Sequence, residues 1–268
     1  MLGTARDSRI HRERILAAEG RLAEAGCEVL LLECGVVLRQ REFPHVFDAN
    51  LVRHPRLEAV DLDAQLAALE APLREVGARH LQIAVAPGGL PDAVATELRR
   101  RSFYRDRLLA MALTGRPSRQ MATGVSVRAV PHEVPFSSYA EVMDRMSREE
   151  PWYTPALSRE IVGSLAAKAD AGVLALHVAM LDGRPAGGAG LATFGDGVAA
   201  ITTVGTIPSA RRRGVAQSLV VDLADKARVA GCDLVYLVAR ADDTPRDMYR
   251  KLGFEVVYAF DVWLRPPI

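Results

Sequence analysis

One segment constrains the fold more than any other: Ile201-Thr-Thr-Val-Gly-Thr-Ile-Pro-Ser-Ala-Arg-Arg-Arg-Gly-Val-Ala-Gln-Ser-Leu219. A β-rich stretch stops at Pro208. A short basic turn follows, and from about Gly214 an apolar repeat of helical period runs to Ala230. This is a strand–loop–helix unit with the helix N-terminus exposed. The first-turn N–H groups of a helix lack intrahelical partners, and the macrodipole makes that end partly positive. The junction therefore suits phosphate. Gly214 and Ala216 keep bulky side chains away from the backbone there. The competing account of Arg211 to Arg213 is a solvated basic turn. Other phosphate loops are excluded. Gly188-Ala189-Gly190 lacks the third glycine of a dinucleotide fingerprint, and there is no Gly-Lys-Ser/Thr.

Around that unit the pattern alternates. A strand is expected over 125–130, helices over 137–149 and 158–170, and a hairpin over 173–181 and 187–194. A strand over 198–206 leads into the long helix. A strand over 232–239, a helix over 243–252 and a strand over 254–263 close the chain. The first half predicts a helix over 10–25, strands at 29–32 and 36–38, a helix over 62–76 ended by Gly77, and a strand over 80–86. A helix over 92–101 and a strand over 103–113 follow. Thr114-Gly-Arg-Pro-Ser118 is a polar Gly/Pro cluster and is taken as a linker. The expected domains are 1–115 and 120–268, both α/β (α+β), each with a mixed central sheet flanked by helices. Segments 78–85 and 231–238 share a strand pattern. Their following helices end alike, at Arg101-Ser102-Phe103 and Leu252-Gly253-Phe254, so the two halves look related.

Composition limits the function. The 268 residues leave each half room for a core. A net charge of +1 gives no global field toward nucleic acid or a membrane surface. Cys27, Cys34 and Cys232 form no C-x-x-C pair, His45 and His54 lack ligand spacing, and no metal is expected. Charges interrupt the first residues, and no apolar run approaches the ~18 residues of a membrane span. The expectation is a soluble cytoplasmic protein, monomer or homodimer. Only Lys168, Lys226 and Lys251 are lysines among 34 basic residues, a bias of GC-rich bacterial genomes.

The residues resemble the GNAT acetyltransferases. Arg211-x-x-Gly214-x-Ala216 fits the family's R/Q-x-x-G-x-G/A, Thr206-x-Pro208 its V-x-P, and Tyr249-Arg-Lys-Leu-Gly253-Phe254 its Y-x-x-x-G-F. The order and spacing suit the family pattern over 120–268. The resemblance implies acetyl-CoA as co-substrate. The backbone of Val204, Gly205 and Thr206 would meet the pantetheine arm where two strands splay. The N–H groups of Arg211, Arg212, Arg213, Gly214, Val215 and Ala216 would hold the pyrophosphate. Tyr249 would protonate the leaving thiolate. The first half resembles a degenerate copy without the loop, and no cofactor is expected there.

The acceptor is less legible. A small primary amine in a cleft is expected, with Glu150, Trp152 and Tyr153 of the Glu149–Pro155 loop as weak candidates to meet it. Glu149 and Glu150 could hold or deprotonate the amine; the competing account is a solvated helix end. The strand over 198–203 offers no carboxylate. Asp242 stands where many relatives carry Asn. Peptide or lysine acetylation, and acyl-CoA sensing without turnover, remain alternatives.

Overall fold

The protein is described from a computed structural model covering residues 5–149 and 153–267. It divides into two compact units that interleave along the chain. Unit 1 holds residues up to 22, then 110–239 and 243–257; unit 2 holds 23–109, 240–242 and 258–268.

Unit 1 contains α1 (Ala5–Glu24, to residue 22), β6 (Val125–Val130), α4 (Phe136–Ser147), α5 (Pro155–Asp170), β7 (Ala175–Leu181), β8 (Arg184–Phe194), β9 (Val198–Thr206), α6 (Val215–Val229), β10 (Leu234–Arg240) and α7 (Pro245–Lys251). It also takes residues 110–113 of β5 (Tyr104–Leu113). The strand order is β5-β10-β9-β8-β7-β6, antiparallel from β6 to β9 and parallel between β9 and β10. Two adjacent glycines of β8 locate the helical layers. A Cβ on Gly187 would lie 2.6 Å from Val215 Cγ1 of α6; one on Gly188 would lie 3.2 Å from the Tyr139 ring of α4. Neighbouring strand residues face opposite ways, so α6 and α4 cover opposite faces of the sheet.

Local sequence explains these helices. α6 buries Val215, Leu219, Val220, Leu223, Ala224 and Ala227, a stripe of helical period. The Thr154 hydroxyl caps α5 by accepting the Leu157 N–H at 3.0 Å, with Pro155 in the first turn. α1 is fastened by Arg14, which donates to both Asp233 oxygens and to the Asp196 carbonyl, and by Arg21, 2.7 Å from Asp196 and lying over Phe194.

Unit 2 contains β1 (Glu28–Leu32), β2 (Gly35–Arg39), β3 (Leu51–Arg53), α2 (Leu62–Glu75), β4 (Leu81–Val85) and α3 (Asp92–Arg100), with residues 104–109 of β5 and 258–265 of β11 (Glu255–Arg265). Its strands run β1-β2-β3-β4-β11. Its core joins Leu62, Leu66, Leu69 and Leu73 of α2 to Val94 and Leu98 of α3 and to Trp263 of β11. The Phe43–Leu51 segment folds around buried Asn50. That side chain accepts the Gln40 N–H and donates to the carbonyls of Phe43 and Val46.

The elements match the expected ones within a few residues, with β3 added. The two compact units do not divide at 115–120 alone. α1 and residues 110–113 group with unit 1, while 258–265 pair antiparallel with β4 in unit 2. Each unit thus borrows its final strand from the other half of the sequence. Periodicity announces a strand but does not name its partner.

Candidate functional site

The parallel ladder between β9 and β10 runs from Val198↔Leu234 to Ile201↔Leu237 and stops. Beyond it, residues 202–206 of β9 keep β8 as a neighbour, through a shifted register. Gly190 pairs with Thr202 and Gly188 with Gly205, so three residue steps on β9 oppose two on β8. The extra residue is a β-bulge. Thr203 carries it at φ 51°, a left-handed backbone that a β-branched residue rarely adopts. Buried Tyr139 lies beneath, its hydroxyl 3.4 Å from Thr203 Oγ1. Val204, Gly205 and Thr206 come out half-buried. Gly205 accommodates Met146: a Cβ there would fall 1.7 Å from Met146 Cε. Thr206 Oγ1 is buried without a hydrogen-bond partner among the described residues.

The chain then turns sharply. Ile207 N–H donates to the Ala186 carbonyl at 2.9 Å, anchoring the end of β9, and Pro208–Ala210 makes one 3₁₀ turn. Arg212 at φ 61° and Gly214 at φ 77° are both left-handed and aim the chain into α6. The Ser218 N–H closes on the Gly214 carbonyl at 2.9 Å, so the N–H groups of Val215, Ala216 and Gln217 lie in the unpaired first turn. Val215 is buried against β8, whereas Ala216 is half-exposed. Gly214 cannot carry a side chain: its φ is left-handed, and a Cβ would sit 2.5 Å from Ala122 Cβ.

The three arginines differ. Arg211 forms an ion pair with Glu149, and Arg213 contacts Asp182 at 2.8 Å. Arg212 is exposed, with no acidic partner among the described residues. These exposed pairs are weak in water and exchange readily for another anion.

Tyr249 lies on α7, which follows the C-terminal end of β10. Its side chain is 6% exposed, and its ring meets Phe254 edge-on at 6.2 Å. Burial, reinforced by the charge of Asp243, pushes its hydroxyl from the ordinary value near 10 to about 12. It therefore stays protonated at neutral pH.

Of the acceptor-side candidates, Glu150 and Trp152 fall outside the described residues. Tyr153 is half-buried and its hydroxyl donates to Asp144 at 2.9 Å, while Arg148 holds the same carboxylate. Glu149 is engaged by Arg211. Asp242 is exposed, 3.4 Å from Arg240. Sequence reasoning missed Tyr139, Met146 and Thr203. For Tyr139 and Met146 the glycines they lie against, Gly188 and Gly205, were the available signal. Among the described residues no cluster of His, Cys, Asp and Glu could hold a metal, and no helix is long and apolar enough to cross a membrane.

Residues 138–254 match the model of the acetyltransferase (GNAT) family. Solved structures share the fold along nearly the whole chain. A conserved Staphylococcus epidermidis protein of unknown function has TM-score 0.73 at 15% identity, covering 91% of this chain and 96% of its own. A GCN5-related N-acetyltransferase from Kribbella flavida has TM-score 0.61 at 18% identity, covering 100% and 97%. A tandem GNAT protein from the clavulanic acid biosynthesis pathway has TM-score 0.50 at 14% identity, covering 96% and 95%. No curated protein sequence matches the chain.

Proposed function

We propose, on the premise that residues 138–254 match the model of the acetyltransferase (GNAT) family, that the chain moves an acetyl group from acetyl-CoA to a small primary amine, by direct attack within a ternary complex. One observation carries the assignment: the β9–β10 ladder ends at Ile201 and Leu237, at the end of the sheet where β9 leads into the open N-terminus of α6. A thioester arm fits the first feature and its pyrophosphate the second.

Several features favour the fit. Thr206 Oγ1 lacks a partner, and Val204 to Thr206 leave the β10 ladder where an amide-bearing arm could add as a strand would. Arg212, two residues before the Gly214 N-cap of α6, offers an exposed guanidinium with no acidic partner among the described residues. Bound acetyl-CoA supplies an activated acyl carbon and a thiolate leaving group. In this reading Tyr249 donates its proton to that sulfur. With its hydroxyl pushed to about 12, it is a weak acid and stays neutral until the thiolate develops. β9 contributes no carboxylate over 198–203, and in this reading the amine attacks as its neutral fraction. Positioning then supplies most of the acceleration.

The test is thiol release from acetyl-CoA across a library of small amines and short peptides, beside direct titration with CoA. Release with small amines supports the proposal. A marked preference for peptides moves the assignment to peptide acetylation. Tight CoA binding without turnover on any amine makes the domain an acyl-CoA sensor and overturns it.

A further inference from the structure

Unit 2 contains a concavity of about 1030 Å³, within the range that small molecules occupy. Its wall is assembled from the end of α2, the residues before β4, the end of α3, the start of β5 and the residues after β11. Four guanidiniums face it, Arg74, Arg79, Arg101 and Arg265, against one carboxylate, Glu70.

The charges there do not cancel. Glu70 is a single acid shared by Arg74, at 2.8 Å, and Arg265. Arg101 is answered by Asp63 and Glu97, which in turn holds Arg100. Arg79 is exposed and has no acidic partner among the described residues. The wall therefore carries a surplus of two positive charges: one from the pair sharing Glu70, one from Arg79. Helix C-termini attract basic residues, which accounts for Arg74 and Arg101. It does not account for Arg79 or Arg265, which lie outside helices. Arg265 is also partly desolvated, its guanidinium 5.0 Å over the Phe103 ring, and burial holds its pKa down. At the rim, Tyr104 is 61% exposed, an unusual setting for a large ring, beside the exposed Ser102 and the apolar Pro266 and Pro267.

We propose that this concavity is a binding site for a phosphate monoester: Arg79 and Arg265 hold the dianion and Tyr104 packs on the organic group that bears it. Guanidinium forks match phosphate oxygens in geometry, and an exposed aromatic face accepts a planar or apolar substituent. The site uses residues outside 138–254 and is independent of the acetyl-CoA assignment.

Calorimetric titration of the full chain at low salt with phenyl phosphate and inorganic phosphate tests this. One saturable site per chain is expected for phenyl phosphate, weakening below about pH 6 as the second phosphate proton adds. Arg79→Ala is expected to weaken both ligands about tenfold or more, as for loss of a charge-assisted contact. Tyr104→Ala is expected to weaken phenyl phosphate alone. Ala216→Glu, in the α6 loop, is expected to change neither. Both unit 2 residues are exposed, so unfolding does not confuse the result, and circular dichroism checks it. Absence of saturable binding overturns the proposal. So does binding that survives Arg79→Ala unchanged, or binding abolished by Ala216→Glu, which would place the anion at α6 instead.

Discussion

Ala216 and Gly214 look interchangeable in a motif but differ physically, and this decides which one can probe the loop. Gly214→Glu combines a left-handed residue with a Cβ overlapping Ala122, so it would disturb the fold and the ligand together. Ala216 is half-exposed in the first turn of α6, where a carboxylate is stabilised by the dipole. Ala216→Glu is therefore expected to keep the thermal midpoint within a few degrees while weakening CoA about a hundredfold, by placing an anion where the proposal puts the pyrophosphate. Isothermal titration checks it; unchanged affinity would mean the phosphates lie elsewhere. Tyr249 carries the second residue-scale prediction. Removing its hydroxyl in Tyr249→Phe is expected to lower kcat by about a hundredfold, the low end for an acid catalyst, with CoA affinity nearly unchanged. If the amine attacks as its neutral fraction and Tyr249, pushed to about 12, is the acid, kcat/KM should rise with pH toward the amine's own pKa and show no fall by pH 10. A descending limb between pH 7 and 9 would point to another acid. The same shift bears on stability. A hydroxyl whose folded pKa is raised above its unfolded value stabilises the fold fully below pH 10 and loses that contribution as pH climbs toward 12. Buried Tyr139, also pushed to about 12, adds to the same alkaline loss.

β8 is where element packing meets the site. A Cβ on Gly187 would press on Val215 Cγ1 at 2.6 Å and on the Gly205 carbonyl at 2.7 Å. The second is backbone of β9 and cannot yield cheaply, and relief of the first requires α6 to lift from the sheet. A Cβ on Gly190 meets Leu174 Cδ1 at 2.8 Å, the far end of a flexible side chain. Gly187→Ala is thus expected to cost about 1–3 kcal/mol, in the range of overpacked cores, and to weaken CoA because the first turn of α6 moves. Gly190→Ala should cost less and leave CoA affinity alone. Thermal melts and CoA titrations of the two variants would show it, and equal effects would refute the packing account. The contrast also shows what the sequence made legible. Period and turn residues located nearly every element, and the Arg211–Ala216 loop was visible because a helix start, a glycine and basic residues coincide within six positions. The bulge at Thr203 was not visible. Nothing in Thr-Thr-Val marks which threonine turns left-handed; that choice depends on β8 register and on Tyr139, about 60 residues earlier. The acceptor side was least legible, since a loop's contacts follow from its surroundings more than from its own pattern.

At the scale of the whole chain, the borrowed strands govern how it can be divided. Residues 110–113 of β5 complete the unit 1 sheet, and all four side chains, Ala110, Met111, Ala112 and Leu113, are buried there. Residues 258–265 complete unit 2 and bring in Trp263, buried in its core. A chain cut in the 116–119 linker separates each sheet from its final strand. By area alone, losing two large and two small buried apolar side chains removes roughly 5 kcal/mol from unit 1, comparable with the whole stability of many domains. Fragment 1–115 loses at least as much with Trp263. Neither fragment is expected to melt cooperatively alone, although 120–268 contains the entire family-matched region and every residue of the proposed CoA loop. Coexpressed, the two should associate, recover a cooperative transition and bind CoA, because omitting residues 116–119 removes one backbone hydrogen bond, from Ser118 N–H to the Leu252 carbonyl, and no sheet contact. Differential scanning calorimetry of each fragment and of the pair distinguishes the cases. A 120–268 fragment that melts like the full chain and binds CoA with full affinity would show that 110–113 contributes nothing, and the strand exchange would have to be abandoned.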